Sequence, residues 1–220
     1  MNLLLVTMLL VSPACAVERS TAAVVVAVDP GHGGRDFGVT FRGRMEKEAT
    51  LALSRRLAEE LRALPGLRPL LLREGDEYIG LVERVDKARA AGARALLSLH
   101  VDDRRLGSHQ AGRGIVVYFY GRSHERLLRR LLLPAPPQAQ VEASRRLAVL
   151  LARSLREGGF PAAEVDRGQY VIVKGEDVPS VLVEFGNFRD PEEARRLSDP
   201  AFQKRLARAL ARGLEAFLER

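Results

Sequence analysis

Short, dense apolar runs alternate along the chain with longer segments in which apolar residues return every three or four positions. Residues 22–28 (AAVVVAV) have the β-branched density of a buried strand. The string Asp29-Pro30-Gly31-His32-Gly33-Gly34 then favours a turn and ends it. Residues 46–64 predict a helix, because Leu53, Leu57, Leu61 and Leu64 fall on one face. Residues 67–72 predict a second strand, 79–91 a second helix and 95–99 a third strand that ends at His100. Further strands are expected over 114–119, 170–173 and 181–183, the last running into Glu184, with a helix over 141–157. A final helix starts near Pro200 and lines up Phe202, Leu206, Leu210, Leu214 and Phe217. This alternation predicts an α/β fold: a three-layer α/β/α sandwich around a mostly parallel, mixed sheet. Residues 121–140 break the rhythm with Arg-rich and then Pro-rich text, and read as a short irregular insertion within one domain spanning 17–220.

Residues 3–11 form an apolar run broken by Ser12-Pro13, and Ala14-Cys15-Ala16 supplies small residues beyond it. That is the layout of a secretory signal peptide over residues 1–16, and the run is too short to span a bilayer. The expected location is therefore outside the cytoplasm, in a periplasm or cell wall. An apolar element of the fold itself, or a lipid anchor through Cys15, are the alternatives.

Composition narrows the chemistry. The 220 residues carry a net charge of +7, which favours polyanions: nucleic acid, an anionic membrane surface or the acidic polymers of a wall. Aromatic residues are 5% of the chain and tryptophan is absent, which argues against a module that stacks sugars or bases on exposed rings. With one cysteine there is no internal disulfide and no cysteine-based zinc site, so a metal would need histidine and carboxylate.

Functional groups of open α/β sheets gather at the carboxyl ends of strands. His32, His100 and Glu184 each stand after an apolar run, and Glu46 opens a helix. Two histidines and two glutamates can build a catalytic zinc site, with three side chains on the metal and the fourth moving protons. Each also has an ordinary reading. His32 fits a surface turn, His100 a strand end, Glu46 or its rival Glu48 a first helical turn, and Glu184 an ion pair with arginine. Asp29 and Ser98 flank the histidines and are read as turn and strand-end hydrogen-bonding residues. His109 and His124 are read as surface residues.

In these segments the chain resembles the zinc-dependent N-acetylmuramoyl-L-alanine amidases of bacterial walls. The likeness runs through VAVDPGHGGRDFGV, GRMEKEATLALSRRL, LLREGDEYIGLVERVDKARAAGARALLSLHVDD and VPSVLVEFGNFRDPEEARRLSDPAFQKRLARAL, in that order. The resemblance implies that His32, Glu46 and His100 hold one Zn²⁺ and that Glu184 is the catalytic base. It also implies peptidoglycan as substrate, cut between N-acetylmuramic acid and L-alanine. Nucleic acid and a stable membrane span form no part of this reading, and a protein activator would be of unknown identity. Two departures stand out. Leu72 precedes Arg73 where the family usually has Thr. Phe185-Gly186-Asn187-Phe188-Arg189 replaces the family's Gly-Phe-x-Ser-Asn pattern. The alternatives are a zinc carboxypeptidase or other peptidase on a related fold, and a catalytically silent wall-binding regulator.

Overall fold

The computed structural model describes residues 22–102, 114–121, 135–174 and 177–219. The proposed leader with Cys15, both His109 and His124, and most of the 121–140 insertion lie outside the described residues. Strand β1 (Val24–Pro30) is followed by a two-stranded hairpin, β2 (Thr40–Phe41) and β3 (Arg44–Met45), which leads directly into helix α1 (Glu46–Arg62). Then come β4 (Leu67–Leu71), α2 (Leu81–Ala90), β5 (Ala95–Asp102), β6 (Val116–Tyr120), α3 (Gln138–Glu157) and β7 (Glu164–Gly168). A 3₁₀ turn (Val171–Lys174), β8 (Ser180–Asn187), α4 (Pro191–Leu197) and α5 (Pro200–Leu218) complete the chain.

The six long strands form one mixed sheet in the order β4-β1-β5-β8-β6-β7. The first four run parallel, while β6 pairs antiparallel with β8 and parallel with β7. Strand geometry sends alternate side chains to opposite faces. Val26, Val28, Leu97, Leu99, Val181 and Val183 therefore pack on one side with Leu53 and Leu57 of α1, Leu147 and Leu151 of α3, and Leu206 and Leu210 of α5. Val25, Ala27, Leu96 and Leu182 face the other side, under Ala88 of α2 and Ile172 and Val173 of the 3₁₀ turn. The expected three layers are present.

Local expectations fared unevenly. Strands β5 and β8 run past the predicted ends, so His100 and Glu184 lie within strands and not after them. Residues 170–173 are not a strand; Val171–Lys174 is a 3₁₀ turn whose Ile172 and Val173 plug the second core. The strand in that region is β7, read from EVDRG, which has almost no apolar signal because it lies at the sheet edge with three of its five residues exposed.

Candidate metal centre

The centre starts from the turn after β1. His32 adopts a left-handed backbone (φ 61°), a conformation that non-glycine residues hold only when their surroundings compel it. Two buried arginines supply that compulsion. Arg84 of α2 donates to Asp29 Oδ1 (2.5 Å), to the carbonyl of Pro30 (2.8 Å) and to that of His32 (2.7 Å). Ser98 Oγ donates to the other Asp29 oxygen at 2.6 Å. Arg73, just beyond β4, donates to the carbonyls of Pro30 and Gly31 (both 2.9 Å) and Lys47 (2.8 Å). The turn is thus tied to β4, α1 and α2 through its own carbonyls. Asp29, next to the last residue of β1, and Ser98, inside β5, act through Arg84 and each other, so Ser98 is not the strand-end group that the sequence suggests.

Glycine is required where the turn meets the centre. A Cβ on Gly31 would come within 2.5 Å of the His100 ring. One on Gly38 (φ +64°) would come within 2.5 Å of Glu46 Oε2 and 2.6 Å of the His32 ring.

Glu46 is the first residue of α1, and its carboxylate turns back under the histidines while Glu48 is exposed to solvent. Its Oε2 accepts from the Val39 N–H (2.8 Å) and its Oε1 from the Val101 N–H (2.9 Å). The same Oε1 lies 3.0 Å from His32 Nε2 and 2.9 Å from His100 Nδ1, and the two ring nitrogens are 3.2 Å apart. Three donor atoms from β1's turn, α1 and β5 therefore meet at one point. Donors about 2.0 Å from a tetrahedral ion stand roughly 3.3 Å apart, so this spacing suits a small divalent cation. Two nitrogens and one oxygen, with no sulfur, are the donor set of a catalytic zinc site.

The electrostatics agree with that geometry. Burial works against charge on Glu46, but its hydrogen bonds to His100 and His32 outweigh it and hold the carboxyl at about 2. Burial likewise opposes charge on His32, yet Glu46 and Asp36 prevail and raise its pKa. His32 Nδ1 lies 2.9 Å from Asp36 Oδ1, the contact through which Asp36 favours the charged ring.

The triad forms one wall of an open cavity of about 510 Å³. Glu184 lines the same cavity, together with Tyr170 and Arg189. It is the direct register partner of His100 across the β5–β8 pair, which puts both side chains on one face of the sheet. All four residues singled out in the sequence are thus brought to one cavity. The sequence reading missed Arg73, Arg84, Asp36 and Lys47, whose Nζ bridges Asp76 Oδ2 (2.7 Å) and the Gly34 carbonyl (2.9 Å). Arg84 had a signal: it lies four residues before Ala88 on the buried face of α2.

Comparison with known proteins gives a consistent result. The family model described as N-acetylmuramoyl-L-alanine amidase matches residues 26–216. The N-acetylmuramoyl-L-alanine amidase AmiA of Escherichia coli is 28% identical over 226 residues, covering 91% of this chain and 78% of that protein. Among solved structures, the amidase AmiC2 of Nostoc punctiforme is 26% identical with a TM-score of 0.71, covering 90% of this chain and 98% of that one. An N-acetylmuramoyl-L-alanine amidase of Clostridium difficile shares the fold, with a TM-score of 0.75 at 22% identity, covering 90% and 98% of the two chains.

Proposed function

Because the chain belongs to the N-acetylmuramoyl-L-alanine amidase family, we propose that it performs that family's reaction with zinc on His32, Glu46 and His100 and with Glu184 as proton carrier. The enzyme hydrolyses the amide between N-acetylmuramic acid and L-alanine in peptidoglycan. The observation that carries the zinc reading is the meeting of three donor atoms within 3.2 Å of one another on the wall of an open cavity.

Glu46 stays ionised at any working pH, because its carboxyl is held at about 2. His32 and His100 offer lone pairs once neutral, so the three residues present a single negative charge to a divalent cation. Zinc, when bound there, supplies a Lewis acid for the amide carbonyl and makes water more acidic. Glu184 accepts a proton from the attacking water as the new C–O bond forms. It then returns that proton to the L-alanine nitrogen as the C–N bond breaks, leaving a lactyl carboxylate and a free amine. The substrate lies outside the cytoplasmic membrane, which supports residues 1–16 as an export leader. Among the described residues no helix is long and apolar enough to cross a membrane.

The test uses the purified chain on isolated peptidoglycan. Peptides with a new L-alanine amino terminus should appear, stop with a chelator and return with Zn²⁺, and elemental analysis should find one zinc per chain. Undiminished activity in Glu184→Ala with unchanged zinc would refute its role.

A further inference from the structure

We infer that four arginines beside the cavity form the subsite for the carboxylates of the substrate's peptide. Arg42 and Arg44 of the β2–β3 hairpin, Arg189 after β8, and Arg195 of α4 line a second hollow of about 280 Å³. Its other lining residues are Phe41, Phe188, Pro191 and Ala194, so none of the residues lining it is acidic. Arg189 also lines the catalytic cavity, so the two spaces share a wall. The guanidinium groups of Arg42 and Arg189 lie 5.3 Å and 5.6 Å from the ring of Phe41, which holds both near one apolar floor.

Backbone strain points the same way. Arg42 (φ 50°) and Gly43 (φ 78°) are the two central residues of the hairpin turn, and both are left-handed. Asn followed by Gly satisfies such a turn cheaply. An exposed arginine there costs stability and has no structural return among the described residues beyond its contact with Phe41. The hairpin ends at Met45, immediately before Glu46, so Arg44 is fixed two residues from the metal-donor carboxylate.

The substrate's chemistry selects the ligand. Its acetylated sugars are uncharged, and the lactyl carboxyl is consumed in the scissile amide. Negative charge therefore resides on the peptide, which ends in a carboxylate whatever its residues. Arginine forks match carboxylates in geometry and charge. Arg189 also lies in the stretch Phe185-Gly186-Asn187-Phe188-Arg189, where this chain departs from its family's pattern.

The inference rests on the amidase reading, and the experiment separates the two. The zinc-loaded chain is given a muramoyl tripeptide with free carboxylates and the same compound with every carboxyl amidated. In parallel, Kd is measured for the two released peptides. The free acid should be preferred at least about ten-fold in kcat/KM, through KM, as expected for charge-assisted hydrogen bonds. The preference should weaken as salt is added. Arg42→Asn and Arg195→Gln should each shrink it at least about three-fold, consistent with loss of one such bond. Arg42→Asn should also raise Tm by relieving the turn, which separates a binding loss from misfolding. Equal use of the two compounds overturns the subsite while leaving the amidase reading intact. So does an unchanged preference in both folded variants. Inhibition by polyphosphate, combined with indifference to amidation, would assign the arginines to an anionic wall polymer and overturn it too.

Discussion

The donor triad and the arginine hollow share a wall but are built on opposite principles. Glu46 is pinned by two backbone N–H groups, and the His32 turn is held by Arg73 and Arg84 through main-chain carbonyls. Little is left to side-chain rotamers there. The arginines of the hollow reach from the β2–β3 hairpin, the turn after β8 and a seven-residue helix, and Arg42 and Arg195 are exposed. A centre that must hold an ion to a few tenths of an ångström needs backbone rigidity. A surface that greets a charged peptide can use long side chains whose charge acts over several ångströms.

If this contrast is right, damage should be steep at the triad and shallow at the hollow. Glu46→Ala should abolish zinc binding and reduce activity by about a thousand-fold or more, since the Lewis acid is lost with it. Elemental analysis and peptide release measure the two together. Glu184→Gln should keep its zinc and lose about 10²- to 10⁴-fold in kcat, the usual worth of a positioned proton carrier. Gly38→Ala touches no donor atom, yet its Cβ would meet Glu46 and His32. It should weaken zinc affinity about 10- to 100-fold, the range seen when groups around a metal ligand are disturbed. Competition with a fluorescent chelator would read that change. Arg84→Met strands the buried Asp29 and should cost about 3–5 kcal/mol. A thermal melt of the metal-free protein isolates that loss from any effect on zinc.

The pH dependence of the metal-free protein is the mildest test. Glu46 sits below its ordinary value of 4.5, so its contribution to stability is present above 4.5 and fades as the pH falls toward about 2. His32 has the opposite sign. Its value is raised above 6.5, so its contribution is full below 6.5 and is lost as the pH climbs through the raised value. The site should therefore stabilise the metal-free fold most between 4.5 and 6.5. Zinc needs His32 neutral, so the gain in Tm on adding zinc should grow as the pH rises from about 6 to about 8. Melts with and without chelator across that range would show a flat difference if proton and metal did not compete at His32.

Much of this architecture is written in the sequence. The leucine stripe of α1 and the apolar runs of β1, β5 and β8 expose the layers, because burial on both faces of a parallel sheet leaves continuous apolar text. His32, Glu46, His100 and Glu184 each have an ordinary reading alone; they are legible as a set, and the family resemblance selects Glu46 over Glu48. What stayed hidden was held by hydrogen bonds and not by apolar burial. Strand β7 is carried by its ladder with β6 and leaves no pattern in EVDRG. Arg73 and Arg84 look like surface charges in one dimension, yet both are buried and bonded to main-chain oxygens. The apolar text of residues 170–173 predicts a strand, but a buried 3₁₀ turn needs the same residues.

The bond from the Val101 N–H to Glu46 Oε1 joins residues 55 positions apart. His32, Glu46 and His100 cannot meet until β1 and β5 have paired side by side, and that pairing closes a long loop of chain. On the zinc reading, ion capture must therefore follow that pairing. All three donor residues lie within the first 100 of the chain, so uptake of the ion would report the pairing of β1 with β5 and not completion of the whole sheet.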